Sequence, residues 1–393
     1  MNEKVSLTYL DSYDTPQVEQ AVKQGFELLG VSTLLKPKMR VLIKACLPND
    51  ENPDTAETSH PKIVGGIVNV LNGLGVECIL ADSPYKAYNK SNLEAVYVNT
   101  GMLGMSNGSK CELNYNLKTF TAEVPNGVKI KSVKLLDVLN EVDAVINLSK
   151  LKMDENLGYL GAGFNLLGFV PGEMKTDLIN RLGTQQDVSD LICDLYLALK
   201  NKLVLNIMDA VVTREAGGSE RLLYCLAMSE NVFSLDATLL NILDVKLKNS
   251  IVGVASERGL FDLEAKIKTV GEKVDTFKLE DYQLSEIDLN KKIHAKLGEQ
   301  RRYYNAHQQR PVVNKKLCKG CGVCARICPT NAIMMKYDKN GELFASIDYS
   351  KCILCYKCHT ACPYSVIDLK TPVKYKRLHS QIERENETEE NKN

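Results

Sequence analysis

Along the first three hundred residues, short apolar runs with strand character alternate with segments in which the apolar residues recur at helical spacing. "MRVLIKACL" (39–47) reads as a buried strand. In "HPKIVGGIVNVLNGLG" (60–75), Ile63, Ile67, Val70, Leu71 and Leu74 share one helical face, with Pro61 near the start and Gly75 after the end. "VECILADSP" (76–84) is the next strand, which completes a βαβ unit and sets Asp82 and Ser83 at a strand's carboxyl end, where open α/β sheets place their ligands. The alternation continues with "DAVINLS" (143–149) as strand, "SDLICDLYLALK" (189–200) as helix, "LVLNIMDAVV" (203–212) as strand and "SLDATLLNILDV" (234–245) as helix. This pattern predicts an α/β domain over residues 1–300, built on a mostly parallel sheet with helices on its faces.

Composition narrows the class. Lys and Arg total 49 and Asp and Glu total 49, so the formal net charge is zero. That balance, without a repeated basic and aromatic pattern, argues against a nucleic-acid partner. No apolar run approaches the roughly 20 residues that cross a bilayer, and mean hydropathy is −0.18, so no membrane segment is expected. The opening "MNEKVSLTYLDSYDTPQ" lacks the cationic start and apolar stretch of an export signal, which points to the cytoplasm and to reduced thiols.

Eight of the 13 cysteines fall in two short runs, "CKGCGVCARICP" (318–329) and "CILCYKCHTACP" (352–363). Disulfides, zinc and iron-sulfur clusters compete for such cysteines. A reducing compartment and a chain of 393 residues disfavour a disulfide framework. Zinc knuckles favour two plus two ligands, whereas each run here is Cys-x2-Cys-x2-Cys-x3-Cys-Pro, three close thiols and a fourth set apart, which suits a 4Fe-4S cluster. "CPTNAI" (328–333) repeats as "CPYSVI" (362–367), and the intervening "MMKYDKNGELFASID" reads as a β-hairpin turning at Asn340 and Gly341. Residues 312–372 thus resemble a bacterial-type ferredoxin with two 4Fe-4S clusters. That resemblance implies a crossed ligand set, Cys318, Cys321, Cys324 and Cys362 on one cluster and Cys352, Cys355, Cys358 and Cys328 on the other.

In the larger part, "LGYLGAGFNLLG" (157–168) is the most suggestive loop. Its glycines, Gly161 and Gly163 among them, can bring backbone amides to an anionic or nucleotide ligand, though the spacing matches no phosphate-loop motif and a packing loop is the plainer reading. Just ahead, "LSKLKMD" (148–154) places Lys150 and Lys152 at alternate positions, so both face one side. Asp209 and Asp236 read either as a carboxylate site at a sheet edge or, for Asp236, as a helix cap. Cys46, Cys78, Cys111, Cys193 and Cys225 read as small buried hydrophobes, His60 as a cap or surface residue and His359 as a bystander in the second cysteine run.

The order of "VLIKACLP", "HPKIVGGIVNVLNGLGVECILADSP", "INLSKLK", a loop ending "NLLG", "LNIMDAVV" and "SLDATLL" resembles the family called domain of unknown function 362, over roughly residues 38–260. By that resemblance Lys44, Asp82, Ser83, Lys150, Lys152, Asn165, Asp209 and Asp236 occupy the family's characteristic positions. The chain departs from the family pattern at Asp154 and Phe164, and at "TREAGGSERL" where a glycine-proline segment is expected.

Together these features predict an iron-sulfur redox protein in which two 4Fe-4S clusters relay electrons to or from a small molecule or redox protein partner held by the α/β domain. A non-catalytic electron-carrier or docking subunit, and a ligand or oxygen sensor, are the competing readings. The basic stretch 301–311 is expected to link the domains, and residues 373–393 form a charged tail whose end is too polar to fold.

Overall fold

The structure is a computed structural model that describes residues 3–180, 182–264, 266–293, 310–328, 331–349, 352 and 357–370. The linker expected over 301–311, apart from its last two residues, and the tail at 373–393 lie outside the described residues, as does Cys355. The chain divides into two compact units, Met1–Ile293 and His294–Asn393.

In the first unit the strands are β1 (Lys4–Tyr9), β2 (Arg40–Lys44), β3 (Glu77–Ala81), β4 (Cys111–Leu113), β5 (Thr119–Glu123), β6 (Ser132–Leu136), β7 (Ala144–Asp154), β8 (Gly158–Leu160), β9 (Leu203–Arg214), β10 (Glu220–Ser229) and β11 (Lys268–Gly271). The main sheet runs β11-β1-β10-β9-β7-β2-β3-β4, with β8 hanging from β7. β4, β3, β2, β7 and β9 are mutually parallel, and β1 and β11 run the same way; β10 is antiparallel to both its neighbours. β5 and β6 form a separate antiparallel pair.

The helices are α1 (Thr15–Leu29), α2 (Pro61–Gly73), α3 (Lys90–Asn99), α4 (Met102–Asn107), α5 (Ala162–Asn165), α6 (Gly172–Asn180), α7 (Gln185–Leu199), α8 (Val232–Ile242) and α9 (Ile251–Glu257). On one face of the sheet, Val18, Val22 and Phe26 of α1 and Ile63, Ile67 and Leu71 of α2 pack on Val41, Ile43, Ile146 and Ile207. On the other, Phe233, Leu239 and Leu240 of α8 and Val252 and Val254 of α9 pack on Leu151, Met208 and Ala210. The alternation of Ile207 with Met208 between the two faces is the period-two signature of a strand covered on both sides.

The antiparallel β10 is a departure from the parallel alternation read in the sequence. Gly217 and Gly218, both at positive φ (81° and 92°), turn β9 directly back into β10, and a hairpin can only pair strands antiparallel. The "TREAGGSERL" segment is therefore a strand-to-strand turn with its flanks. β1 joins the far side of β10 through Ser6–Tyr9, a pairing across more than two hundred residues that no local pattern announces.

The second unit holds β12 (Arg310–Val313) paired antiparallel with β15 (Ile367–Lys370), the hairpin β13 (Ile333–Tyr337) and β14 (Leu343–Ile347), and two short helices, α10 (Val323–Ile327) and α11 (Lys357–Thr360). The hairpin turn lies where expected: the Gly341 amide donates to the Asp338 carbonyl and Gly341 has φ 78°. This is a small α+β, ferredoxin-like arrangement, so the fold class read from the sequence holds in both units.

Candidate functional site

β7 is buried along almost its whole length, yet its composition changes midway: "AVINL" is mostly apolar and "SKLKMD" is not. The register explains how buried lysines are tolerated. β2 ends at Lys44, opposite Asn147, while β7 continues beside β9 as far as the Lys152 to Arg214 pairing. Beyond the end of β2, Lys150 and Lys152 project from one face of β7 and line a recess. Cys46, Pro48, Asp82, Asn165, Gly168 and Lys175 complete much of its wall, and the room for the centres of water-sized groups is about 60 Å³. That space matches a few waters or one small polyatomic group.

Each lysine here has a different anchor. Lys44 Nζ lies 2.9 Å from Asp82 Oδ1, with both side chains buried, and donates to the Ala45 carbonyl and to Asn165 Oδ1 at 2.6 and 3.1 Å. Asp82 in turn accepts from the Leu47 and Ser83 amides at 2.5 and 2.7 Å, so the pair is tied on both sides. Lys150 Nζ reaches Asp209 Oδ2 at 3.0 Å and the Tyr13 hydroxyl at 2.8 Å, and Tyr13 itself donates to Asp209 Oδ1 at 2.9 Å. Tyr13 stacks on His60 with ring centroids 3.7 Å apart, and burial holds the His60 imidazole down at about 4, so it is neutral. Burial also lowers Lys150 against the opposing pull of Asp209. Lys152 donates to Glu57 Oε2 at 3.0 Å, but Glu57 is shared with Arg214 Nε at 2.8 Å.

Lys175, on α6, is the exception. It is 2% exposed, its Nζ donates to the Ser83 carbonyl and lies 4.9 Å from the Tyr85 ring centre, and among the described residues no carboxylate comes within ion-pair distance of it. Burial brings it down to about 8, Lys44 adding to the effect and Asp82 and Cys46 opposing it. A buried ammonium without a carboxylate is expensive unless something else balances it.

The glycine loop does a different job from the one its composition suggests. The amides of Ala162 and Gly163 donate to Asp236 Oδ1 and Oδ2 at 2.7 and 2.8 Å, and the Tyr159 hydroxyl donates to Oδ1 at 2.9 Å. The anion these amides hold is the protein's own carboxylate. A Cβ on Gly161 would stand 2.3 Å from Asp236 Oδ1, and one on Gly168 would stand 2.1 Å from Asp82 Oδ1 and 2.3 Å from Lys44 Nζ, so both glycines are required by close packing. Asp236 sits within α8, whose cap is Asn231, which removes the helix-cap reading. Nor do Asp209 and Asp236 share hydrogen-bond partners: one serves Lys150 and Tyr13, the other the loop. An amide ladder, from Asn165 to Asn147 at 2.8 Å and from Asn147 to Asn206 at 3.0 Å, fixes α5 over the strands. Ser83 is fully buried, its hydroxyl has no partner among the described residues, and its contribution to the lysine cluster is the carbonyl that Lys175 uses.

Sequence reasoning missed Lys175, Glu57, Tyr13 and the position of Cys46, which is only partly buried and lines the recess, unlike the buried Cys78, Cys111, Cys193 and Cys225. A signal for Lys175 existed: it falls three and four residues before the buried Leu178 and Ile179, on the apolar face of its helix.

In the second unit Cys318, Cys321, Cys324 and Cys362 line one cavity, walled by Val313, Met335, Ala345 and Ile367 among others. Cys328 packs with Cys352, Ala332 and Ile347 and also against the core cluster that holds Cys324 and Cys358, and its sulfur accepts from the Ala332 amide at 3.2 Å. Cys358 is buried beside Cys324 in the unit's core. Cys362 thus lines the same cavity as the first three cysteines of the other run, and Cys328 touches Cys352. The donor set, soft thiols in an apolar enclosure, fits iron-sulfur ligation.

Two family models match the chain. The 4Fe-4S dicluster domain matches residues 317–366, and the Domain of unknown function (DUF362) matches residues 41–241, more than half of the chain. The chain belongs to the DUF362 family. Its DUF362 part contains every residue named for the lysine recess except Tyr13. Among curated relatives, a thylakoid-associated protein of Synechocystis sp. is 26% identical over 266 residues, 66% of this chain and 80% of that protein. An uncharacterized ferredoxin of Methanocaldococcus jannaschii is 34% identical over 59 residues, 15% of this chain and 75% of that protein. The iron-sulfur subunit ArrB of the Shewanella sp. arsenate respiratory reductase is 38% identical over 69 residues, 17% of this chain and 28% of that protein. Among solved structures, the lactate racemase apoprotein from Thermoanaerobacterium thermosaccharolyticum aligns with TM-score 0.37 and 12% identity over 59% of this chain and 55% of that one, a likeness too loose to bear on the site. Among the described residues no helix is long and apolar enough to cross a membrane.

Proposed function

We propose that this DUF362 protein is a cytoplasmic iron-sulfur electron-transfer protein in which two 4Fe-4S clusters exchange electrons with a ligand or protein partner of the α/β unit, and that this unit holds a small anionic ligand in the lysine recess. The observation that carries the redox half is the cavity that Cys318, Cys321, Cys324 and Cys362 line together, in a domain matched by a 4Fe-4S dicluster model. Cys318, Cys321, Cys324 and Cys362 are the ligands assigned to one cluster, and Cys352, Cys355, Cys358 and Cys328 to the other. Bound there, each cluster would take up and release one electron at a time. The chain's own contribution is to exclude water through the apolar wall and to donate the Ala332 amide to the Cys328 sulfur, a hydrogen bond that favours the reduced state.

The ligand half rests on charge. Lys150, Lys152 and Lys175 reach the recess wall against a single carboxylate, Asp82, which Lys44 already engages. The site sits at the carboxyl ends of parallel strands, where α/β sheets bind ligands. Lys150 and Lys152 would attract and orient an anion, and the Asn165 ladder would keep the wall rigid.

The test is anaerobic purification followed by visible spectroscopy and native mass spectrometry. The expected result is a chromophore that a chemical reductant bleaches and an oxidant restores, together with a small anion released on denaturation. Protein that shows no reducible chromophore, after folding and loading under anaerobic conditions, would count against the redox reading.

A further inference from the structure

The recess carries more positive charge than a singly charged ligand would neutralise. Resting on the anion-binding reading above, we propose that the ligand is a doubly charged oxyanion, either free phosphate or sulfate or the phosphate group of a small ester, and that Lys175 is the residue that requires the second charge.

Consider the buried and half-buried groups of this cluster. Lys44, Lys150, Lys152, Lys175 and Arg214 are cationic; Asp82, Asp209 and Glu57 are the carboxylates that pair with them. Lys44 with Asp82 and Lys150 with Asp209 are complete pairs. Glu57 serves both Lys152 and Arg214, which leaves one positive charge over, and among the described residues Lys175 has the Ser83 carbonyl and the face of Tyr85 and no carboxylate at ion-pair distance, which leaves a second. Two uncompensated cations beside a recess of this size call for two negative charges in a compact group. Among the described residues no guanidinium lines the recess, and the Ala162 and Gly163 amides are committed to Asp236, so the ligand is read by ammonium groups acting as point charges.

Lys175 also supplies a signature. The charged or titratable groups that act on it are Asp82, Lys44 and Cys46, with the Tyr85 ring beneath it, and together with burial they bring it to about 8. A bound dianion favours its charged form, so binding near that pH draws a proton onto the protein.

The experiment is anaerobic titration calorimetry of the full, cluster-loaded chain with sulfate, which does not titrate in this range, run near pH 8 in buffers of different ionisation enthalpy. We expect sulfate and phosphate to bind at least about ten-fold more tightly than nitrate or formate, with uptake of about half a proton per sulfate. Lys175→Met should lose at least about ten-fold in sulfate affinity and all of the proton uptake, with its folding checked by thermal unfolding. A second readout needs no variant: Cys46 lines the recess, so sulfate should slow its alkylation, followed by peptide mass spectrometry. Tighter binding of glycerol phosphate than of phosphate supports the proposal with an ester as source, and equal binding supports it with the free oxyanion. Equal affinity for nitrate and sulfate, absence of proton uptake by the native protein, or no protection of Cys46 would overturn it while leaving a monoanion site standing. Failure of every anion to bind would overturn the recess reading itself.

Discussion

Substituting Gly168 by alanine separates a packing glycine from a phosphate-cradling one. Gly168 is not at positive φ, so alanine there meets no backbone penalty. Its Cβ would instead stand 2.1 Å from Asp82 Oδ1, 2.3 Å from Lys44 Nζ and 2.4 Å from Lys44 Cε. To reach ordinary contact the pair must retreat by about 1 Å, and neither partner is a loose end. Asp82 is held by the Leu47 and Ser83 amides at 2.5 and 2.7 Å, and Lys44 by the Ala45 carbonyl and Asn165 at 2.6 and 3.1 Å. Overpacking alone costs about 1–3 kcal/mol, and splitting a buried ion pair costs about 3–5 kcal/mol. We therefore expect Gly168→Ala to destabilise the α/β unit by about 3–5 kcal/mol in urea unfolding followed by far-ultraviolet circular dichroism. Gly73→Ala is the matched control: Gly73 closes α2 with nothing within 4 Å of its would-be Cβ, so alanine there should be neutral or stabilising by up to about 1 kcal/mol. A cost below about 1 kcal/mol for Gly168→Ala would show that the Lys44 to Asp82 contact yields freely, and the packing argument would fail.

Further outcomes follow from the same geometry. Burial raises the Asp236 carboxyl from 3.8 to about 6 against the amides and hydroxyl that favour its charged form. Its folded value lies above its unfolded one, so it contributes stability that is full below about 4 and is lost as pH rises to about 6; Asp236→Asn should remove that falling slope from the difference in unfolding free energy between variant and native protein. His60 works in the opposite sense, since its folded value, about 4, lies below the ordinary 6.5: its contribution is present above about 6.5 and lost as pH falls towards 4. Proton NMR should find the His60 ring neutral down to about that pH, and a ring that titrates near 6.5 would contradict its burial beside Tyr13. Asp209→Asn leaves the buried Lys150 ammonium with Tyr13 alone and should destabilise by about 3–5 kcal/mol, whereas replacing Lys150 and Asp209 together by Met and Leu should cost much less, as thermal or urea unfolding would show. Cys362→Ser should halve the cluster content and remove the spectroscopic signal of the centre assigned to Cys318, Cys321 and Cys324, not that of the centre assigned to its own run.

What the sequence made legible was what neighbouring residues encode. The change from apolar to polar within "AVINLSKLKMD", and the alternation of Lys150 with Lys152, pointed to one face at a strand end, and both lysines do line the recess. The cysteine spacing and the Asn340 to Gly341 turn likewise describe local geometry, and the hairpin stands where they put it. The partners were not legible, because each comes from far along the chain: Glu57 lies 95 residues from Lys152, Ser83 lies 92 from Lys175 and Tyr13 lies 137 from Lys150. For the same reason β1 and β10, paired across the whole first unit, were not apparent in a reading of successive βαβ steps. The glycine loop misled in an instructive way, since small residues that let backbone approach an anion are the same ones that let it approach a buried aspartate.

The most direct measurement is the iron, acid-labile sulfide and zinc content of the protein prepared without oxygen. With the eight cysteines of the two runs each ligating a cluster, about eight iron and eight sulfide per chain are expected, with zinc near zero. Protein that is folded and colourless, with zinc bound in place of iron and sulfide, would contradict the account.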